Sequence, residues 1–391
     1  MKLLRPTLTV LVSLGVACAA PSAGAQAMPK TGGTSSVPDE WLLATQGPRW
    51  WYPASASTKP TELGKRDPTA DERAVVERAR SMLAGNPAKA VALIDNGKVV
   101  FVDYKAPANA ESLFHGFSMG KTVAAMSVGQ AICGGKLKMG QRADELVPEL
   151  VGKALGTATV RDLLRMASGA NRPDSDGSMF TPEQLREWNA GRLTLLPIIA
   201  SERVSKAERG VFSDYKPGEH FSYKNQDPNV LGLMIRQATG MTFSEWTQLR
   251  VFEPMGMAHR GLVVQDQNSD GMAEGGVRLR LEDWIRFAVW VKNSSKESGC
   301  FGDYVREAAS TQIKNGPSKG QRDTGKLFGG YGYFIWTENE YAPGSYWASG
   351  YGGQRIAWFK DSDRQVVVFS NVESYMDQVY ELAHAWGRIG R

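Results

Sequence analysis

Apolar positions change period twice along the chain, and the changes mark its organisation. Residues 90–94 and 99–104 are apolar runs on either side of Asp95-Asn96-Gly97, a tight-turn signal, and together they predict a β-hairpin. Ahead of it, Asp67-Pro68 opens a helical pattern that reaches about residue 84. Behind it, Val123, Ala124, Ala125, Met126, Val128, Ala131 and Ile132 are apolar nearly all round. That pattern predicts a buried helix, and Gly134-Gly135 ends it. The next signals are helical. Thr159-Val160-Arg161-Asp162, Thr181-Pro182-Glu183-Gln184 and Thr242-Phe243-Ser244-Glu245 resemble capping boxes. Helical spacing follows at 228–239, 243–252 and 281–291. The last third returns to strands at 331–336, 345–349, 354–359 and 365–370, and a helix over 376–386 closes the chain.

Strands, a helical block, then strands and a helix predict an α+β fold. An antiparallel sheet built from both chain ends is flanked by helices, and an all-helical lobe is inserted. The expected division is an α/β lobe from 67–110 and 271–391, with the helical lobe at 111–270. Residues 28–66 are rich in Pro, Gly, Ser and Thr and read as an arm, ordered where Trp41, Trp50, Trp51 and Tyr52 find a surface.

Residues 1–27 have the form of a secretory signal peptide. Lys2 and Arg5 precede an apolar run at 8–16, and Ala23-Gly24-Ala25 or Ala25-Gln26-Ala27 supplies a cleavage site. The run is too short to span a bilayer, so a secreted or periplasmic protein without stable membrane association is expected. Cys18, after Gly15-Val16-Ala17, fits a lipoprotein processing site poorly. Cys133 and Cys300 then remain, and either a disulfide or two buried thiols suits them. At 391 residues, 42% apolar and 22% charged, the composition is that of a globular protein. Its net charge of +5, part of it in the leader, is too small to suggest a nucleic-acid partner. His115, His220, His259 and His384 lack metal-ligand spacing, so neither metal nor cofactor is expected.

Three stretches carry candidate chemistry. The first is Phe117-Ser118-Met119-Gly120-Lys121-Thr122. Its serine and lysine, three apart at the start of a helix, share a face one turn apart. A lysine there can handle the serine proton, and the helix N-terminus favours negative charge on an attacked carbonyl oxygen. Gly116-Phe117-Ser118-Met119-Gly120 also matches the nucleophile elbow of α/β-hydrolases, with His384 as base and Asp361 or Asp363 as third member. The run at 111–117 lacks the β-branched residues of a strand feeding such an elbow, and His384 lies in a helical pattern. The second stretch holds Tyr223-Lys224-Asn225. A tyrosine near a lysine can act as general base or acid, and an asparagine can hold the lysine by its carbonyl and a substrate by its NH2. The third is Trp347-Ala348-Ser349-Gly350-Tyr351-Gly352-Gly353-Gln354, where glycines allow close backbone approach and strand N–H groups can complete an oxyanion hole.

In this order the three stretches resemble the penicillin-recognising serine hydrolases. That family includes the class C β-lactamases, DD-peptidases, family VIII esterases and 6-aminohexanoate-dimer hydrolases. Leu163-Leu164-Arg165-Met166-Ala167-Ser168-Gly169, Phe252-Glu253-Pro254-Met255-Gly256-Met257 and Glu274-Gly275-Gly276-Val277 are similar to further family landmarks. The resemblance spans about 90–390 and implies the β-lactamase/transpeptidase-like fold. It makes Ser118 the acylated nucleophile, Lys121 and Tyr223 the proton-transfer pair, and Asn225 the residue that orients Lys121. The backbone N–H groups of Ser118 and Tyr351 would form the oxyanion hole, with Ser349, Gly350 and Trp347 beside the substrate. Ala348-Ser349-Gly350 departs from the family's Lys-Thr-Gly and brings no cation. The expected substrate is therefore a small ester or linear amide, with a β-lactamase, a D-amino-acid peptidase or a non-catalytic penicillin-binding-like protein as alternatives. Lys224 is expected to point to solvent or to add charge near the site.

Overall fold

The computed structural model describes residues 36–174, 177–315 and 327–390, so the segment read as a leader lies outside them. In chain order the first strands are β1 (Tyr52–Ala54), β2 (Ala88–Asp95), β3 (Lys98–Tyr104) and β4 (Phe114–His115), followed by β5 (Gly261–Val263) and β6 (Val277–Leu279). The last are β7 (Ile313–Lys314), β8 (Phe328–Tyr331), β9 (Trp336–Asn339), β10 (Ser345–Gly350), β11 (Gln354–Phe359) and β12 (Ser362–Ser370).

The predicted hairpin is β2–β3, with Asn96 and Gly97 both at positive φ, 49° and 74°, as a two-residue hairpin turn requires. Its β2 strand pairs antiparallel with β12, so the two chain ends meet in one eight-stranded sheet of order β3-β2-β12-β11-β10-β9-β8-β7. Strand alternation then sorts side chains to the two faces. Val91, Leu93, Val366 and Val368 pack with Val379, Leu382 and Trp386 of the C-terminal helix Met376–Arg388. Ala90, Ala92, Ile94, Val367 and Phe369 join the core that holds Met119, Val123 and Met126 of the helix Met119–Cys133. The serine helix and the C-terminal helix therefore lie against opposite faces.

The structure departs from expectation in three places and settles one alternative. Residues 331–336 are not one strand. They contain the turn between β8 and β9, where Gly332 N–H donates to Ile335 O (2.8 Å) and Phe334 has φ of 52°. Tyr333, Phe334 and Ile335 are buried there, and a buried turn carries the same apolar run as a strand. A helix, Cys300–Ala308, follows Gly299, where no capping residue announces it. A second sheet, β1-β5-β6-β4, joins strands of two or three residues, too short for periodicity to register. Through β1 it incorporates the arm, and Arg278 of β6 sits over the Trp51 ring, 5.5 Å from its centroid. Finally, Cys133 and Cys300 form a disulfide, which settles the alternatives left by the sequence.

Candidate active site

Ser118 is the N-cap residue of the helix Met119–Cys133. The chain reaches it from β4 through Gly116, whose N–H donates to Val277 O (2.9 Å), and through Phe117 at φ 46°. A bulky residue in the left-handed region costs roughly 1–3 kcal/mol and persists only where its surroundings hold it. Here the Phe117 ring lies 3.9 Å from that of His115 and 6.0 Å from that of Tyr351. His115 is itself fixed, with Nε2 2.8 Å from Gly275 O. Burial first, then Arg278, holds its imidazole well below the ordinary pKa, so it stands neutral beside the helix start. Gly120 meets Gly275 so closely that an added Cβ would lie 2.9 Å from the Gly275 Cα. Close contact between the two glycines brings the segment Glu274–Gly275 up to the first turn of the helix.

Lys121 is 1% exposed, and its Nζ donates to Ser118 Oγ (2.9 Å), Asn225 Oδ1 (2.8 Å) and Glu274 O (2.8 Å). Three acceptors match the three hydrogens of an ammonium. Ser118, Lys121 and Asn225, singled out from the sequence, are therefore joined directly. The Glu274 carbonyl was not foreseen, because a backbone acceptor leaves no signature in residue type. It is held from behind by Asn229, whose side-chain amide donates to the Glu274 carboxylate and accepts from its N–H.

Tyr223 faces the same lysine, with Lys121 Nζ 4.9 Å from its ring centroid. The ring stacks on Trp336, centroids 5.4 Å apart at 21°, and meets Tyr331 edge-on. Burial, with Tyr223 and Asp227 nearby, holds the Tyr331 hydroxyl well above the ordinary phenol range. The phenol beside Lys121 is thus backed by a second phenol that stays neutral.

Lys224 corrects the reading made from sequence. It is fully buried, donating to Ala170 O (2.7 Å) and paired with Glu208 Oε2 (3.3 Å). Tyr223 and Asn225 face the site, and the residue between them turns into the protein. Nearby Asp227 accepts from Ser168 Oγ (2.7 Å), and burial, outweighing Lys224 and Ser168, pushes its carboxyl up from 3.8 to about 7. The folded state thus keeps a proton that an unfolded aspartate has released above pH 3.8. This group's stability is complete below that value and is lost as pH rises through about 7. The loss runs at up to about 1.4 kcal/mol per pH unit. Asp227→Asn should flatten the fall in unfolding free energy between pH 4 and 7. Parallel slopes for the variant and parent in denaturant titrations at several pH values would refute this.

The third stretch arrives on β10. An added Cβ on Gly350 would lie 2.2 Å from Gly116 O, so only glycine lets the strand end rest on the loop before Ser118. Arg355 Nη1 donates to Gly350 O (2.8 Å) and fixes that end, a contact the sequence did not suggest. Pairing between β10 and β9 covers Tyr346 and Trp347, and the strand then runs on past the ladder towards Tyr351. Trp347 does not line the site. It is buried with Phe328 and Tyr380 on the C-terminal-helix face, its indole N–H donating to Ser345 Oγ (2.6 Å). Strand alternation sends it away from Ser118 and gives Ala348 to the serine-helix core. Ser349 shares the parity of Trp347, and its hydroxyl is buried without a hydrogen-bond partner. His384 lies on the C-terminal helix, against the face opposite the serine helix, so the α/β-hydrolase arrangement is excluded. Among the described residues no His, Cys, Asp and Glu cluster is placed to hold a metal ion. No helix among them is long and apolar enough to cross a membrane.

The chain is similar to known proteins in sequence and in fold. A beta-lactamase of Providencia stuartii is 24% identical over 224 residues, covering 54% of this chain and 53% of that protein. One from Escherichia coli strain K12 is 22% identical over 236 residues, covering 54% and 57%. The alignments thus span little more than half the length of these relatives. Among solved structures, a candidate 6-aminohexanoate-dimer hydrolase from Bacillus anthracis superposes with a TM-score of 0.66 at 17% identity, over 87% of this chain and 92% of that one. A beta-lactamase/D-alanine carboxypeptidase from Pseudomonas syringae gives 0.59 at 16%, over 83% and 100%. These two likenesses share the β-lactamase/transpeptidase-like fold. The beta-lactamase family model matches residues 76–387, and the chain belongs to that family of serine hydrolases.

Proposed function

We propose that this protein is a secreted or periplasmic hydrolase that forms an acyl-enzyme on Ser118 and cleaves neutral carboxylic esters or linear amides. The observation that carries the reading is the contact of Lys121 Nζ with both Ser118 Oγ and Asn225 Oδ1, at 2.9 and 2.8 Å. In the resting arrangement Lys121 donates to the serine, so Lys121 is assigned to stabilise Tyr223 beside it as a phenolate, which takes the serine proton and becomes a phenol as Ser118 Oγ attacks. The N–H groups of Ser118 and Tyr351 are assigned to the oxyanion, and the Asn225 amide to the substrate. The Cys133–Cys300 disulfide supports an oxidising compartment and hence the leader read at 1–27.

Substrate choice turns on Ala348. A β-lactam carries a carboxylate, and the lysine of a Lys-Thr-Gly strand can offer it a charge-assisted hydrogen bond. Here that position is a buried alanine, and Lys224 is committed to Glu208. A hydrogen bond to a charged group contributes about 1.5–3 kcal/mol, so its loss lowers β-lactam kcat/KM by roughly ten- to a hundred-fold. Neutral substrates are unaffected. A second reading, hydrolysis of β-lactams, is favoured by the likeness to the beta-lactamases of Providencia stuartii and Escherichia coli.

One set of assays separates the two. A fluorophosphonate should label Ser118 and no other residue, and p-nitrophenyl butyrate should be turned over faster than nitrocefin. Ala348→Lys should raise nitrocefin turnover specifically. Nitrocefin hydrolysed faster than the ester by the unaltered protein would overturn the substrate assignment, and labelling elsewhere would overturn the mechanism.

A further inference from the structure

Lys224 stands between the two side chains that face Lys121, yet it is wholly buried. Burying an ammonium costs several kcal/mol unless hydrogen bonds and an opposite charge compensate, and apolar side chains often fill such a site at no loss of stability. Its partners form a tether. Lys224 Nζ is held by Ala170 O (2.7 Å) and Glu208 Oε2 (3.3 Å). Glu208 Oε1 in turn accepts from Ser222 Oγ (3.0 Å), so one carboxylate grips the chain on both sides of Tyr223. Ser222 N–H donates to Met166 O (2.8 Å) and Asn225 N–H to Gly177 O (3.0 Å). Gln226 Nε2 completes the row on Asn171 O (2.5 Å). The backbone bonds hold the segment at Ser222 and Asn225, its two ends. The ammonium pins its middle.

We propose that Lys224 is a positioning residue for the reaction at Ser118: its buried ammonium fixes the chain between Tyr223 and Asn225, so that the phenol and the amide reach Lys121 together. The inference rests on the acyl-enzyme reading above. It assigns the tether to orientation of the reacting groups, with substrate affinity carried elsewhere. A misplacement of about 1 Å at a reacting group costs on the order of a hundred-fold in rate. Lys224→Met keeps the apolar stem and removes the tether. It should lower kcat for a neutral ester roughly thirty- to a hundred-fold, with KM unchanged within about twofold.

The double variant Lys224→Met/Glu208→Gln removes the buried ammonium together with its partly exposed carboxylate partner, so no member of the ion pair is left unpaired if the single variant fails to fold. It should recover thermal stability while kcat stays low. Parental kcat in either folded variant would overturn the proposal, as would a loss confined to KM. Fluorophosphonate labelling separates this from failure of the acyl-enzyme reading. If the parent is not labelled at Ser118, both fall. If the parent is labelled and the variants react at the parental rate, only the role of Lys224 falls.

Discussion

Lys121→Ala should lower kcat for an ester by roughly 10²–10⁴-fold, the range over which positioned proton-transfer groups act. Tyr223→Phe should do nearly the same, and the double variant should lose little beyond the worse single one. The expectation follows from how few groups surround the serine. Lys121 Nζ spends its hydrogens on Ser118, Asn225 and Glu274, and sits 4.9 Å from the centre of the Tyr223 ring. A tyrosine takes the serine proton only as its phenolate, which at neutral pH needs a cation beside it, and the cation has no proton-transfer role without that tyrosine. Groups that share one step show strong non-additivity. Alanine at 121 also leaves the Glu274 carbonyl and the Asn225 amide without their buried partner, so an unfolding midpoint must accompany each rate. Losses that multiply in the double variant, with both singles folded, would assign the residues to separate steps.

The sequence made this site legible to different depths, for physical reasons. Ser118 and Lys121 are one helical turn apart, a relation set by the chain itself, and Asn225 follows Tyr223 at a fixed interval. What could not be read was direction. Tyr223, Lys224 and Asn225 are consecutive and polar, and only the partner at Glu208, 16 residues away in an irregular connection, shows that the middle one turns inward. The same holds on β10, where Trp347 and Ala348 differ by one residue in a period of two. Parity assigned the tryptophan to the C-terminal-helix face and left the alanine facing the serine helix. Backbone acceptors such as Glu274 O carry no residue preference. The large sheet was foreseeable because β2, β3, β11 and β12 are long enough to show a pattern, whereas the two- and three-residue strands of the second sheet are not. That small sheet nonetheless anchors the turn into Ser118, because β4 runs directly into it and pairs with β6.

Breaking the disulfide should have the largest effect on stability and almost none on chemistry. Cys133 ends the serine helix and Cys300 begins the helix Cys300–Ala308, 167 residues later. In the chain-entropy account, closing so long a loop raises the free energy of the unfolded chain by about 5 kcal/mol. The folded side has less to lose. The two helices are joined independently by the Tyr304 hydroxyl, which donates to Ala125 O (2.8 Å), and by its ring, which packs on Gly129 so closely that an added Cβ would lie 2.4 Å away. Ser118 also stands at the opposite end of a 15-residue helix, roughly 22 Å from Cys133, with its own anchors at Gly275 and Gly350. Cys133→Ser/Cys300→Ser should therefore unfold at much lower denaturant concentration, with a loss approaching about 5 kcal/mol. Its ester turnover at 25 °C should stay within about twofold of the parent, because the bond constrains the unfolded ensemble more than the site. Coincident unfolding curves for the parent and the cysteine-free protein would refute the stability argument. A fall in kcat at temperatures where both remain folded would show instead that the bond acts on the native helix, and through it on Ser118.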